Sequence, residues 1–270
     1  MSVLIQISDT HFGTDLPEVQ TALLQLTSDT RPEIAVLSGD LTQRARRHQF
    51  AAARAFCEKL RVRKVLPLPG NHDIPLFNLF ARIFNPYGNY RRAFGADLEP
   101  TFESAQYLVL CVNTTRARRH KDGEVSAPQV ERVSQALRHA SGEQVRIVVT
   151  HQPVHVIELR DEANLLHGAE HAVREWSAAG ADLIMGGHIH LPYVRPLSDR
   201  YPDLARRTWV VQAGTAVSHR VRHAAPNSVN IVRRMSTGEL RCAVERWDYN
   251  AGSAHFELKT SELLHLDRRL

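Results

Sequence analysis

An α/β fold is predicted by three features of the chain: short β-branched apolar runs, helical periodicity in the stretches between them, and polar or glycine-rich turns where the runs end. The runs at residues 3–7, 34–37, 62–66, 145–149 and 183–185 have the length and branching of strands buried on both faces. Each leads to polar residues, so their ends are expected to share one rim. Helices are expected over residues 16–26, with its recurring leucines, and 43–60, with Ala, Phe and Leu at helical intervals. Residues 128–137 follow Ser126, a residue type that caps helices, and 171–179 complete the helical set. Residues 107–112 and 208–211 add strands, and 229–234, 240–247 and 254–258 read as successive antiparallel strands. The stretches 85–98 and 155–168 break the pattern and are expected to be loops near an opening. With no linker, repeat or low-complexity segment, residues 1–270 read as a single domain, those after about 225 completing a second sheet.

Bulk properties narrow the function only modestly. The 270 residues are 43% hydrophobic, enough for a substantial core, and the formal charge is +5. That charge can steer an anionic substrate but falls short of a surface built to coat nucleic acid. Cys57, Cys111 and Cys242 are widely separated and form no Cys-x-x-Cys pair, so a disulfide framework is not expected. The chain enters its first strand without a basic leader and holds no bilayer-length apolar run, which sets a cytoplasmic location as the expectation.

The polar strand ends carry the chemistry. Asp9 and His11, one residue apart, can place a carboxylate and an imidazole on one side of an extended turn. Asp40 can offer one oxygen to each of two cations, and Asn71 can add an amide oxygen. Gly39 and Gly70 permit tight turns beside them. His151 ends another strand, and His188 and His190 can converge if Ile189 points away. Each fragment alone has an ordinary structural explanation; the ordered set points to a metal site.

Together, Asp9-Thr10-His11, Gly39-Asp40, Gly70-Asn71-His72-Asp73, His151 and Gly187-His188-Ile189-His190 resemble the calcineurin-like metallophosphoesterase superfamily. The resemblance implies a two-sheet α-β-β-α sandwich with a dinuclear metal centre formed by loops. It implies that Asp9, His11 and His190 hold one metal, that Asp40 bridges, and that Asn71, His151 and His188 hold the second. It further implies hydrolysis by a metal-activated water, which leaves Ser8 and Thr10 without a nucleophilic role. His72 is then the catalytic candidate that contacts the phosphate or protonates the leaving oxygen, with Asp73 either orienting it or serving the turn.

The Gly-Asn-His-Asp motif and the segment from Pro226 to Asn230 look like the cyclic-nucleotide phosphodiesterase branch, so a 3′,5′-cyclic nucleotide is the expected substrate. Relatives that cleave a nucleotide-linked lipid A precursor often carry Arg at the position of His72. Other phosphodiesters, phosphomonoesters, glycerophosphodiesters and nucleic acid remain alternatives, as does a non-enzymatic metal-binding role. The mixed donors suit Mn, Fe or Zn. No obligatory protein partner is expected, and the tail strands offer an edge that a dimer could use. Arg44, Arg46, Arg47, Arg116, Arg118, Arg119, Lys121, Arg220, Arg222 and His223 each read as solvated surface charge, with a phosphate-attracting mouth the alternative. Tyr87, Tyr90 and Phe94 read as packing residues rather than a base-stacking platform, and His155, His167 and His219 stay outside the metal set.

Overall fold

The computed structural model describes residues 2–222, 225–235 and 241–268; His223 and Leu240 of the sequence reading lie outside them. Among the described residues, twelve strands form two six-stranded sheets. The first is built on β1 (Val3–Ile7), β2 (Ile34–Ser38) and β3 (Lys64–Leu68), and the second on β4 (Thr101–Glu103), β5 (Tyr107–Cys111), β6 (Val145–Val149), β7 (Leu183–Gly186), β8 (Tyr193–Pro196) and β9 (Trp209–Gln212). The tail strands β10 (Ser228–Met235), β11 (Arg241–Asn250) and β12 (His255–His265) join the first sheet, giving the order β12-β11-β10-β1-β2-β3. The second runs β4-β5-β6-β7-β9-β8.

Alternation along each strand explains the layers. Ile5, Ile7, Ala35 and Leu37 face α1 (Pro17–Thr30) and α2 (Arg47–Lys59), whose Leu23, Phe50 and Ala53 join them in one apolar cluster. Leu4, Ile34 and Val36 face the other way, onto Val109, Ile147 and Leu183 of the second sheet. Leu110, Val148 and Ile184 turn outward to α5 (Ala127–His139) and α6 (Ala169–Ala179). The result is the α-β-β-α sandwich that the resemblance implies. Parallel β1-β2-β3 and β5-β6-β7-β9 ladders bring the carboxyl ends of their strands to one rim.

Local departures have local causes. The third strand begins at Lys64 because Ile34 pairs with Lys64 and Ser38 with Leu68, while Val62 turns back onto the carbonyl of Leu60. Pro67 is tolerated there because β3 is an edge strand. The helix read from residue 43 starts at Arg47, since Ala45 adopts φ 51° and the Gln49 side chain collects the amides of Arg44 and Arg46. Gln43 is thereby released into a turn at the rim. Residues 85–98 are more regular than expected: α4 (Gly88–Phe94) forms there, following the short helix α3 (Leu79–Phe84). Tyr90 of α4 is fully buried and donates to the carbonyl of Pro67 at 2.7 Å, while Tyr87 and Phe94 pack partly buried on the core. Residues 155–168 hold one 3-10 segment, Leu159–Asn164. No helix among the described residues is long and apolar enough to cross a membrane.

Candidate metal centre

The strand ends deliver every sequence-predicted ligand to one place. Asp9 and His11 follow β1, Asp40 follows β2, Asn71 follows β3, His151 follows β6, and His188 and His190 follow β7. Asp9, His11, Asp40 and His151 are buried, and His188 is half-buried. Ligand atoms gather within 4.8 Å of one another in three groups: Asp9, His11 and His190; His11, Asp40 and His72; Asp40, His151 and His188. Asp40 and His11 are shared between groups, so the arrangement is two adjacent centres rather than one.

Backbone strain concentrates at the same positions. Asp9, His11, Asp40, His188 and His190 have φ of 51°, 42°, 49°, 71° and 55°, five of the nine non-glycine positive-φ residues described. Such conformations cost of order 1–3 kcal/mol each and persist only where surrounding structure enforces them. Here the buried strands do so, with ties such as the Asp9 amide on the Gly39 carbonyl and the His11 amide on that of Asp40, both at 3.0 Å. Gly39 has φ 102°, and a side chain there would run into the His151 ring. Gly70 has ordinary extended backbone, but a Cβ on it would strike Asp40.

Hydrogen bonds aim the donors inward. His151 Nδ1 donates to the Ser38 carbonyl at 2.9 Å, which turns Nε2 toward Asn71 Oδ1 at 3.2 Å and Asp40 Oδ1 at 3.3 Å. His190 Nδ1 donates to the Arg220 carbonyl at 2.7 Å and leaves its Nε2 3.1 Å from His11 Nε2 and 3.2 Å from Asp9 Oδ1. Carboxylate oxygens, an amide oxygen and ring nitrogens thus converge with few protons among them, and a cation satisfies such a set. Asp9 is held from outside by Ser8 Oγ at 2.6 Å and the His188 amide at 3.0 Å.

The electrostatics agree. Burial pushes the Asp9 carboxyl up, but the charge and hydrogen bond of His190 outweigh it and hold Asp9 at about 2. Burial also resists Asp40 ionisation, yet His151 and His72 keep it well below the usual carboxylate range. Burial lowers His11 and His188 to about 3. His151 goes the other way, to about 9, because the Asp40 charge overcomes its burial. Asp9 and Asp40 are thus held ionised in a buried pocket, where each attracts a positive partner. The site's mixed carboxylate, amide and imidazole donors fit two divalent transition-metal cations.

His72 lies on the open side. Its amide donates to Asp40 Oδ1 at 2.8 Å, its Nδ1 donates to the Gln43 carbonyl at 3.0 Å, and its Nε2 is 4.0 Å from Asp40 Oδ2. Asp73 does not orient it. The Asp73 carboxylate instead accepts from the amides of Leu41, Thr42 and Gly70 and from Thr42 Oγ1, which makes it a turn clamp. Burial and the Asp40 charge push this carboxyl up to about 6 despite those donors.

Arg220, one of several basic residues that the sequence reads as surface charge, lies in the site. Its guanidinium lies 3.3 Å from His72 Nε2, 2.9 Å from Gln43 Oε1 and 3.5 Å from His11 Nδ1. Its neighbour Arg222 serves structure, pairing with Asp161 and Glu158 and donating to the Ile189 carbonyl between the two histidines. Arg116, Arg118 and Arg119 are occupied by Asn113, Gln129 and Glu124. His155, His167 and His219 join none of the metal-ligand groups. A crevice of about 70 Å³ beside His72 is lined by Gln43, Arg44, Asn71, His72, Ile74, Leu76, Arg82 and His120. A wider cavity of about 750 Å³ under α4 contains none of the candidate site residues.

The calcineurin-like phosphoesterase family profile matches residues 2–192, and the chain belongs to that family. No curated protein matches the sequence. Among solved structures, a purple acid phosphatase from yellow lupin superposes with a TM-score of 0.73 at 11% identity, covering 99% of this chain and 54% of that one. The chain therefore spans about half the length of the lupin protein. A dimetal phosphatase from Danio rerio gives 0.67 at 12% identity over 98% of this chain and 99% of its own. Vps29 from Entamoeba histolytica, complexed with zinc, gives 0.50 at 12% identity over 98% and 99%. At such identities the likeness shows the fold alone, and fold does not decide chemistry.

Proposed function

We propose that the chain is a dimetal phosphodiester hydrolase, with a 3′,5′-cyclic nucleotide, cleaved to the nucleoside monophosphate, as its substrate. One observation carries the hydrolase reading: the acceptor atoms of Asp9, His11, His190, Asp40, Asn71, His151 and His188 point at two adjacent centres, while His72 and Arg220 stand on the open side. Asp40 is the proposed bridge, with Asp9, His11 and His190 to one side and Asn71, His151 and His188 to the other. Two bound divalent ions would polarise the phosphate oxygens and lower the pKa of water.

The chain's own groups do the rest. Hydrogen bonds to Ser38 and to Arg220 fix the tautomers of His151 and His190. Arg220 can pair with a phosphoryl oxygen and offset its charge as the bond to the leaving group lengthens. His72, locked through Nδ1, presents Nε2 to the departing oxygen and carries a proton to it. The small crevice beside His72 favours a compact leaving group over a nucleic-acid strand, which needs a groove that follows the backbone.

The test is one panel. Protein reconstituted with Mn, Fe or Zn is assayed on cyclic nucleotides, linear diesters, monoesters and nucleic acid. The narrower proposal expects the highest kcat/KM on a cyclic nucleotide, and faster turnover of a simple linear diester would overturn it. Stoichiometric metal with no hydrolysis of any ester would leave a metal-binding protein instead.

A further inference from the structure

Beside the metal crevice the surface changes character. Phe77, Leu79, Phe80, Ile83 and Phe84 are 80%, 66%, 75%, 69% and 71% exposed. The helix α3 that carries four of them buries none of its own side chains. Isolated exposed apolar residues are ordinary, but five within eight positions form a patch of the kind that marks an interaction surface. Phe80 and Phe84 pack on each other as a tilted pair with ring centroids 4.7 Å apart, so they present one apolar ridge rather than scattered rings.

Cations border this ridge. Arg44 holds its guanidinium 5.4 Å from the Phe77 ring centre. Arg82, within α3, donates to the carbonyls of Pro75 and Arg119, which ties the helix to the loop bearing His120 and Lys121. Among the described residues, no carboxylate pairs with Arg44, Arg82 or Lys121. Arg44, Arg82 and His120 also line the crevice that holds His72, together with Leu76 at the root of the patch.

We infer that this ridge docks on an anionic phospholipid bilayer and sets the mouth of the metal site against it. Charge complementarity selects that occupant. Bulky aromatic and aliphatic side chains enter the headgroup boundary, and cations at their base that no carboxylate neutralises meet lipid phosphates. The inference concerns the surface and goes beyond the hydrolase reading, since docking is measured without hydrolysis.

The experiment is co-sedimentation of the full chain with phosphatidylcholine vesicles, with and without phosphatidylglycerol. Binding is expected to the anionic vesicles, weakening as salt is added. The double variant Phe80→Ser, Phe84→Ser should lower the partition coefficient by roughly tenfold or more. Its melting temperature and its turnover of a soluble aryl phosphodiester should match the parent. Failure of the parent to sediment with anionic vesicles overturns the inference, as does equal sedimentation of the variant. A concentration-dependent dimer that disappears in the variant would also overturn it, assigning the ridge to a second copy. Failure of the hydrolase reading shows separately, in the aryl ester assay.

Discussion

His72 Nδ1 lies 3.0 Å from the carbonyl oxygen of Gln43. A carbonyl only accepts, so the Nδ1 proton is fixed there and the exchangeable position of the ring is Nε2. The turn that supplies this carbonyl exists because Ala45 adopts a left-handed conformation and delays the start of α2. Replacing His72 with Ala should therefore leave metal content intact and lower kcat by about 10²–10⁴ on substrates with poor leaving groups. Aryl esters, whose leaving oxygen needs no proton, should suffer less. Equal turnover by parent and variant on a poor leaving group would remove His72 from the mechanism.

Arg220 acts in two separable ways. Its carbonyl orients His190, and its guanidinium reaches His72 and Gln43. Arg220→Met keeps the first and removes the second. The expected outcome is normal metal content by elemental analysis with kcat/KM reduced by roughly 10²-fold or more. Loss of metal together with activity would show instead that the side chain supports the centre itself.

Asp40 touches both halves of the site, with Oδ1 3.3 Å from His151 Nε2 and Oδ2 3.7 Å from His11 Nε2. Asp40→Asn removes the negative charge and leaves one neutral oxygen in place of two shared ones, while preserving shape. Metal titration of the variant should stop near one ion per chain, whereas the parent takes two. A variant that still loads two ions with unchanged affinity contradicts the bridging role.

Much of the candidate site was legible because four of its candidate ligands come in pairs one residue apart at strand ends. Asp9 and His11 need only local backbone geometry to join one group, and the same local geometry sends His190 to that group and His188 to the other. The parallel ladders then bring Asp40, Asn71 and His151 to the same rim. Arg220 escaped because its meaning depends on a contact with His11 across 209 positions of sequence, and nothing in its neighbours distinguishes it from Arg222. Gln43 escaped for the opposite reason: the helical pattern of α2 reads straight through it, and only the Ala45 backbone shows the break. The ridge at residues 77–84 was hidden in a third way, since an apolar run looks the same in sequence whether it is buried or exposed.

His155 provides a stability test away from the metal centre. Its ring is buried, with Nδ1 lacking a hydrogen-bond partner among the described residues, and lies 6.0 Å from the Tyr193 ring. Burial lowers its pKa below 6.5, with Arg200 and Arg195 adding to the shift and Asp199 and Glu162 opposing it. The unfolded chain then binds a proton on this residue more readily than the folded chain, so its contribution to stability falls as pH drops below about 6.5. Above that value both states hold the ring neutral and the contribution is flat. His155→Phe keeps an aromatic ring against Tyr193 and removes the titration. The gap between parent and variant melting temperatures, measured at matched metal content, should shift in favour of the variant as pH is lowered through 6. A gap that stays constant from pH 8 to pH 5 would mean that the His155 ring takes up its proton equally well in the folded and unfolded protein.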